Sequence, residues 1–362
     1  MRMMQHPFFN DKQILVADKA PKTANDRTWC FWETGEGLFE PLVFRQWDAV
    51  AFYSTHFSGS LPLSPYRYKM IRGIDFYTHI QELAKQRSNI HFLYEPVTQT
   101  GTKTDKAFVE TASGIYTADY VFNSILFEQP VIKTGEYMLL QHFKGWMIET
   151  PTPVFDPAKA TFMDFRVSQH EGTTFMYVLP VSSTAALVEY TLFTEKLLPR
   201  EKYTSELQSY LKTWLGIENY TIEHEEFGII PMTNHVFPSS EDRVIYMGIA
   251  GGQAKGSSGY AFQFIQKKTA AIVASLVHGR FPVQPDSIQT RKFRFYDAVL
   301  LNVLHNRKLN GDQVFAAIFK ENPPERVLRF LDNESSIWED LRIMNSVPTG
   351  IFLKAAMQEL FR

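Results

Sequence analysis

A glycine-rich turn in the second half of the chain has the residue types and spacing of a phosphate-binding site. The run VIYMGIAGGQAKGSS, residues 244–258, reads as a buried strand that ends in a glycine turn, and an apolar run with helical spacing follows from Gly259. Glycines let the backbone approach an anion without a Cβ clash, and the amides at a helix N-terminus attract negative charge. The run therefore predicts one half of a nucleotide site. Its candidate binding residues are Gly248, Gly251, Gly252, Lys255 and Gly259.

An acidic residue suited to a nucleotide ribose ends the strand-like run QILVAD, at Asp18. In dinucleotide-binding folds such a residue follows a G-x-G-x-x-G turn by about 20 positions. Counting back from Asp18 puts those glycines before Met1, so the sequence predicts a nucleotide-binding domain that is truncated at its N-terminus. Two readings of Lys255 are open: a phosphate or cofactor contact, and an exposed lysine.

Composition favours a large α/β protein from a reducing compartment. The chain has 362 residues, 44% of them hydrophobic, which suffices for one large body or two domains. Its single cysteine, Cys30, cannot form an internal disulfide, and a packed small hydrophobe is favoured over a nucleophile. The 37 basic and 39 acidic residues predict no nucleic-acid-binding surface. With no membrane span and no signal peptide recognised, we expect a cytoplasmic location.

The elements that must position these residues alternate between a nucleotide domain and an inserted β-rich domain. Period-two patterns predict strands within 42–64, 90–123 and 160–193, and helical spacing predicts helices at 75–86 and 200–215. The predicted parts are 1–65 and 66–140 (nucleotide-binding domain, the second with a helix and β-meander), 141–232 (β-rich substrate domain), 233–286 (glycine turn and helix) and 287–362 (helical cap).

Eight short runs, in their order and spacing, resemble the lycopene cyclases, the flavoproteins that form the β-rings of carotenoids. They are NDRTWCFWE (25–33), YRYKMIRGIDFY (66–77), QHFKGW (141–146), FDP (155–157), MDFR (163–166), LVEYT (187–191), FGIIPMT (227–233) and AGGQAKGSSGYAF (250–262). The resemblance covers essentially the whole chain. It implies an α/β fold in which an FAD-binding Rossmann-like domain, lacking its first strand and glycine turn, carries an inserted β-sheet substrate domain and a C-terminal helical cap.

The same resemblance implies an activity, cofactors and partners. The expected enzyme is a bacterial-type lycopene β-cyclase that closes the ψ-ends of lycopene or γ-carotene without net redox change. It would use reduced FAD, with NAD(P)H as the electron source. Because its carotenoid substrate is insoluble in water, we expect it at the inner face of the cytoplasmic membrane as a peripheral protein.

In that family a glutamate in a short acidic motif is the favoured acid–base residue, and it maps onto Glu189 of LVEYT. Protonating an alkene requires a strong acid, and burial beside Leu187 and Val188 would keep this carboxyl protonated. Alternation puts Val188 and Tyr190 on the opposite strand face, so a glutamate that faces water is the alternative. Family members often carry two adjacent glutamates here, whereas this chain has Tyr190 in the second position.

Further site residues are candidates by type and alternation. Asp164 and Arg166 share one strand face, as an ion pair that orders the substrate pocket or as a surface pair of little energetic value. Asp18, Arg27 and Arg72 are assigned to FAD, and Asp26 with Arg27 could instead hold a loop together. Six aromatic residues are expected to line a polyene tunnel, with core packing as the alternative: Trp29, Phe31, Trp32, Trp146, Tyr177 and Tyr190.

Several functions are excluded or kept as alternatives. His142 and His224 lack metal-ligand spacing, so no metal is predicted. The stretch 293–304 either lies in a membrane interface or packs in the cap. A flavin-dependent redox enzyme acting on an isoprenoid, such as a prenyl reductase or hydroxylase, is the alternative activity, and an inactive carotenoid-binding fragment is a third reading.

Overall fold

A computed structural model describes residues 1–283 and 285–362 of the chain. The described residues form short strands in the first third and longer ones in the middle. The strands are β1 (Ile14–Asp18), β2 (Thr28–Thr34), β3 (Arg45–Trp47), β4 (Ala49–Tyr53), β5 (Ser58–Pro62), β6 (Tyr66–Arg72), β7 (Ile90–Tyr94), β8 (Gln99–Lys103), β9 (Lys106–Thr111), β10 (Gly114–Ala118), β11 (Val121–Asn123), β12 (Met138–Glu149), β13 (Ala160–Asp164), β14 (Thr173–Pro180), β15 (Ala185–Thr194), β16 (Thr221–Thr233), β17 (Ser240–Glu241) and β18 (Val244–Tyr246).

Helices dominate the last third of the chain, as the sequence predicts. They are α1 (Gly73–Lys85), α2 (Arg200–Leu215), α3 (Phe262–Val277), α4 (Ile288–His305), α5 (Gly311–Glu321), α6 (Pro324–Leu331), α7 (Ile337–Ser346) and α8 (Thr349–Leu360). Several begin at recognisable signals: Ser336 caps α7 in a capping box with Glu339, and Pro324 opens α6. Among the described residues, no helix is long and apolar enough to cross a bilayer.

The largest sheet has seven strands in the order β16-β12-β15-β14-β13-β4-β5. Its neighbours are antiparallel except for β13 and β4, which run parallel. All eight residues of β14 are buried, because the middle of the sheet is covered on both faces. The sheet also takes β4 and β5 from the range 1–65, so the large sheet is not confined to residues 141–232.

The two faces of this sheet pack against different elements. Val188 and Tyr190 point to one face, where Leu207 and Tyr210 of α2 cover them. Residues of the opposite register contribute to a second core that α4 to α7 complete from the C-terminal third of the chain. Its members include Phe175, Tyr177, Leu187, Phe193, Leu301, Phe315, Phe319, Leu328 and Ile343. Alternation along each strand thus decides which residues meet α2 and which meet the C-terminal helices.

Smaller sheets carry the nucleotide-domain segments. β1 pairs with β7 and β11 pairs with β18, both in parallel register, as expected for strands joined by crossovers. β8, β9 and β10 form an antiparallel meander inside the range 90–123, as a sheet separate from the one that contains β7, and β6 lies between β2 and β3. The predicted α/β class with a large sheet and C-terminal helices is confirmed, whereas the division into five parts stays a prediction.

The stretch 293–304 packs in the helical cap. It lies inside α4, where Phe293, Leu301 and Val303 are fully buried. The interpretation of this stretch as a membrane-interface segment is therefore wrong, because its apolar side chains are already covered by protein.

Candidate active site

Two glutamates and a tyrosine form one row across four adjacent strands of the large sheet. Tyr177 of β14 pairs with Glu189 of β15, Glu189 pairs with Gly145 of β12, and Gly145 pairs with Glu226 of β16. Residues directly opposite each other in an antiparallel sheet point to the same face. The two glutamates therefore project from the same face, on either side of a glycine.

Because Gly145 has no side chain, the space above it, between the side chains of Glu189 and Glu226, is open. A Cβ atom built on it would lie 3.0 Å from Cγ of Glu226, 3.1 Å from Cδ1 of Leu187 and 3.3 Å from Oε1 of Glu226. Glu226 thus already leans over the middle strand toward Glu189. A side chain at residue 145 would have to displace it.

The pKa values of both carboxyl groups are raised. Burial raises the pKa of Glu189, and the negative charge of Glu226 raises it further, while a hydrogen bond from Thr191 opposes the rise. Burial likewise raises the pKa of Glu226, which is only 6% exposed, against opposing polar groups of Thr28. Oγ1 of Thr191 donates to Oε1 of Glu189 at 2.6 Å.

Glu189 faces the protein interior. Val188 and Tyr190 do lie on the opposite strand face, as alternation predicts, but α2 covers that face. The face of Glu189 carries Leu187 and Tyr177, which belong to the core shared with the C-terminal helices. The Glu189 carboxyl is therefore partly shielded from water, unlike that of a surface glutamate.

Aromatic and thiol groups close the space in front of the carboxyl row. The hydroxyl oxygens of Tyr177 and Tyr260 lie 3.2 Å apart, and the ring of Trp32 meets that of Tyr260 edge-on at 4.7 Å. Burial raises the pKa of the Cys30 thiol, and the charges of Glu189 and Glu226 raise it further. Cys30 is thus a neutral packing group, which disfavours its reading as a nucleophile.

A narrow pocket adjoins these residues. It is lined by Cys30, Phe31, Trp32, Tyr260, Phe262, Gln263, Phe264 and Asp332. A larger cleft of about 380 Å³ exists elsewhere, between the end of β15 and the start of α5. Charged residues such as Glu171, Lys196 and Arg307 line that cleft, and neither Glu189 nor Glu226 does, so its size does not make it the reaction site.

Asp164 and Arg166 form an ion pair on the opposite face from Glu189. The Asp164 carboxylate is fully buried and accepts from Nη2 of Arg166 at 2.6 Å and from the Tyr210 hydroxyl at 2.8 Å. The Arg166 guanidinium stacks over Tyr53 and Trp214, at 4.2 and 4.3 Å from the ring centres. The pair is therefore not a surface pair, and it fastens α2 to the sheet. The catalytic assignment of Asp164 and Arg166 stays a prediction, and their position on the face opposite to Glu189 does not favour it.

The six candidate pocket aromatics separate into three groups. Trp32 and Tyr177 lie in the core that faces Glu189, whereas Trp146 and Tyr190 lie under α2 on the other face. Trp29 and Phe31 pack at the start of α3, where the Phe31 ring stacks on that of Phe262 at 4.3 Å. Tyr177 belongs to the carboxyl row, and Trp32 is connected to it through Tyr260.

The acidic and basic residues assigned to FAD lie at strand ends. Asp18 ends β1 and lies 3.6 Å from Nζ of Lys22, which also approaches Asp26. Arg27 pairs with Asp26 at 3.0 Å. Arg72 precedes α1 and pairs with Asp75 at 2.7 Å. Lys22 and Asp26 thus link Asp18 to Arg27, and both alternatives for Asp26 and Arg27 are compatible with this arrangement.

The glycine turn follows β18, as predicted, and contains polar atoms without partners. Gly248 and Gly252 have positive φ values of 57° and 66°, which glycine adopts without strain. The Gln253 side chain accepts from the Gly248 amide at 2.9 Å. Within the described part of the chain, Nε2 of Gln253, Oγ of Ser258 and Oε1 of Gln141 are buried without hydrogen-bond partners. Such atoms fit a bound polar group at this turn.

Lys255 is buried rather than exposed. Its ammonium donates to Asp297 and to Asn333, each at 2.7 Å, and so ties the turn to the helical cap. Gly251 and Gly259 are needed for close packing of the turn on its own neighbours, because a Cβ at either would meet Tyr246 or Gln141. The exposed-lysine reading is therefore wrong, and a cofactor contact by Lys255 stays a prediction.

The histidines considered for metal binding have other surroundings. His142 is fully buried between the Thr194 and Tyr203 hydroxyls, each at 2.7 Å, and burial lowers its pKa to about 4. Over residues 1–283 and 285–362, no three His, Cys, Asp or Glu side chains are grouped as a metal site would require.

Glu226 and Gly145 were missed by the sequence analysis. Both lie in or beside runs that resemble the family, but sequence spacing alone gives no reason to pair residues 145, 189 and 226. The position of Glu226 directly before a run that resembles the family was the available signal, and it requires the strand order to interpret.

The fold is shared with a class of solved structures that includes a flavoprotein and a flavin-dependent brominase. A geranylgeranyl bacteriochlorophyll reductase-like protein from Thermoplasma acidophilum superposes with a TM-score of 0.63 at 11% identity, over 94% of this chain and 92% of that chain. A flavoprotein/dehydrogenase from Cytophaga hutchinsonii gives 0.60 at 11% identity, over 99% and 96%. A triple mutant of a flavin-dependent brominase gives 0.58 at 11% identity, over 93% of each chain. The fold is thus the mixed α/β fold of this class.

Within that class the sequence is more specific. The family model of the lycopene cyclase protein matches residues 10–357. The chain belongs to this family, as the eight runs indicated.

Proposed function

We propose that this protein is a lycopene β-cyclase that converts the ψ-ends of lycopene or γ-carotene into β-rings by acid–base chemistry. The observation that carries the proposal is the row of Glu189 and Glu226 on the covered face of the sheet, in a member of the lycopene cyclase family. A protonated carboxyl beside apolar and aromatic groups is the acid that an alkene requires.

Glu189 is the proton donor in this proposal. Because its pKa is raised, the carboxyl keeps its proton near neutral pH and can transfer it to the terminal alkene. The resulting tertiary cation is attacked by the neighbouring double bond, which closes a six-membered ring. The ring faces of Tyr177, Tyr260 and Trp32 would stabilise the cation and exclude the water that would trap it.

FAD in its reduced form is the proposed cofactor, with NAD(P)H as the electron source. Asp18, Arg27, Arg72 and the glycine turn would hold it, and the unpartnered atoms of Gln141, Gln253 and Ser258 support a polar ligand at the turn. When bound, reduced flavin would supply an electron-rich ring for an acid–base or electrostatic role. Two of the structures named above are described as a flavoprotein and as flavin-dependent, which supports the proposal.

A peripheral position on the inner face of the cytoplasmic membrane completes the proposal. The surface formed by α7, α8 and the residue after α8, called here the C-terminal surface, exposes Trp338 at 78% and Phe361 at 86%. Leu353, Met357 and Leu360 recur on α8 with the spacing of one helix face, and all are exposed. Burial and the nearby charges of Lys354 and Arg362 lower the pKa of Lys308, against the opposing charge of Glu359, so basic side chains lie near α8. This combination suits an anionic lipid surface.

Redox chemistry on an isoprenoid, as in a prenyl reductase, is the second candidate. The similarity to a reductase-like protein favours it only at the level of the fold. The product mass distinguishes the two, because cyclisation leaves the mass unchanged and reduction or hydroxylation increases it.

The test uses bacteria that accumulate lycopene and express the full chain. The wild type should yield β-ringed carotenoids of the same mass as lycopene, and Glu189→Gln should lower that yield by about 100-fold or more, because the proton donor is lost. Glu225→Gln is the matched control: Glu225 neighbours Glu226 on β16 but pairs with Lys144 at 3.3 Å and is half-exposed. Full ring yield from Glu189→Gln would remove Glu189 from its role.

A further inference from the structure

We infer that Glu226 is the second member of an acid–base pair with Glu189 and is the group that accepts the ring proton. The inference rests on the proposed cyclisation and adds a residue to it. No sequence motif pointed to Glu226, and the strand register is the observation that carries the inference.

The geometry gives the two carboxyl groups a shared space. They project from strands on either side of β12, and the strand between them has a glycine at the matching position. The Cγ atom of Glu226 lies 3.0 Å from where a Gly145 Cβ would be. Any larger residue at this position would lie between the two side chains, so Gly145 keeps the path between them open.

No cation balances the pair within its own space. Of the described salt bridges, none includes Glu189 or Glu226, and Lys144 on β12 points to the opposite face, where it pairs with Glu225. The titratable and charged groups that act on the pair come from β2, β14, the glycine turn and the loop before β2. They are Cys30, Tyr177, Tyr260, Asp26 and Arg27.

In these surroundings, the state in which the two glutamates share one proton is more stable than the state in which both are ionised. The thiol and the phenols are neutral at physiological pH, and Asp26 is bonded to Arg27, so the local charges nearly cancel. Two carboxylates in one poorly solvated space cannot both ionise without a large cost, and one of them keeps a proton. The resting state is thus one neutral acid and one carboxylate, as acid–base catalysis by a pair requires.

The reaction then balances without an added reagent. The O–H bond of Glu189 breaks as a C–H bond forms at the alkene, and the next double bond supplies the electron pair of the new C–C bond. The adjacent ring C–H bond breaks, its electron pair becomes the ring double bond, and the proton passes to the Glu226 carboxylate. Transfer of that proton over Gly145 to Glu189 restores the pair, so one proton enters, one leaves and no electrons are exchanged.

The test combines infrared spectroscopy of the purified protein with ring formation. Infrared difference spectra across a pH titration follow the C=O band of protonated carboxyl groups. In the wild type, we expect a band that persists to higher pH than ordinary carboxyls allow. In Glu226→Gln the band should disappear at a lower pH, because the negative charge that raises the pKa of Glu189 is gone. Glu225→Gln should leave the band unchanged.

Activity gives the second readout. Glu226→Gln should lower the rate of ring formation by about 100-fold, since a general base contributes on that order. The alkaline limb of its remaining pH profile should shift to lower pH, a change that a purely structural role would not produce. Glu226→Asp, which keeps the carboxyl, should recover part of the rate. Gly145→Ala should fold normally and also lose activity, because its Cβ pushes the Glu226 side chain aside.

The outcomes separate the inference from the proposed function. A carboxyl band that titrates identically in the wild type and in Glu226→Gln would overturn the pair, whatever the enzyme does. Full ring yield from Glu226→Gln would overturn its role as base. A coupled band in a protein that forms no β-ring would support the shared proton and overturn the cyclase assignment.

Discussion

At the scale of single residues, the face of the sheet on which an acidic residue lies distinguishes a proposed catalytic role from a structural one. Glu189 and Asp164 are both acidic strand residues in runs that resemble the same family. Glu189 meets another carboxyl and neutral phenols, whereas Asp164 meets Arg166 and the hydroxyl of Tyr210. An acid that must give up a proton to carbon needs the first environment, and an acid that must stay charged needs the second.

The Asp164–Arg166 pair yields a prediction on stability. Arg166→Met should lower the free energy of unfolding by about 3 kcal/mol, because it leaves the buried Asp164 carboxylate without its cation. Urea denaturation followed by circular dichroism measures the change. Arg67→Met is the matched control, since Arg67 and Asp48 form an exposed pair at 3.0 Å whose loss should cost less than about 1 kcal/mol. Equal losses for the two variants would contradict a buried, supporting role for Arg166.

At the scale of elements, the helical cap has one surface that packs on the sheet and another that faces solvent. α4 and α5 bury Leu301 and Phe315 in the core that covers the Glu189 face of the sheet. The C-terminal surface instead exposes large apolar side chains to solvent. Large exposed apolar patches commonly mark contact with a partner or a membrane.

The C-terminal surface gives a prediction on membrane binding. The double substitution Leu353→Ser and Phe361→Ser should weaken binding to vesicles containing phosphatidylglycerol by about 10-fold or more, because apolar area buried in the lipid interface is lost. Vesicle co-sedimentation measures the binding. Ile115→Ser removes a similarly exposed residue from β10 and should have no effect. Binding that survives the double substitution would move the docking surface elsewhere.

At the scale of the whole molecule, the buried carboxyl pair makes the stability of the folded protein depend on pH. A group whose pKa is raised in the folded state binds its proton more tightly there than in the unfolded chain. The folded protein therefore gains from the pair at low pH and loses that gain as pH rises through the raised pKa values. This is the reverse of the usual behaviour of a carboxylate held in a salt bridge.

The resulting prediction concerns pH above 6.5. Between this pH and about pH 9, the wild type should lose more stability than the double variant Glu189→Gln, Glu226→Gln, which carries no proton to release from the pair. Burial lowers the pKa of His142 from 6.5 to about 4, but this contribution is the same in both proteins and cancels. Burial raises the pKa of Asp332 to about 7, but this contribution is common to both proteins and cancels. If the free energies of unfolding of the two proteins, measured by urea titration, change in parallel with pH, the pKa values of Glu189 and Glu226 are not raised.

The sequence alone determined the class of fold, the family and the identity of one catalytic candidate. Local patterns suffice for these, because β-rich runs, helical spacing and ordered motifs are properties of neighbouring residues. Strand β1 and helices α1 and α2 were predicted within a few residues, and β13 and β14 lie inside the predicted strand range 160–193. Strand β12 was not predicted, although it lies between the two glutamates.

Only the tertiary structure decided which residues meet. Asp164, Trp146 and Tyr190 were grouped with Glu189 from sequence, yet they lie on the far face of the sheet under α2. Glu226 is 37 positions from Glu189 in the numbering and becomes its neighbour through strand order and register. Pairing across a sheet is set by non-local contacts between strands, so the spacing of residues along the chain carries no record of it.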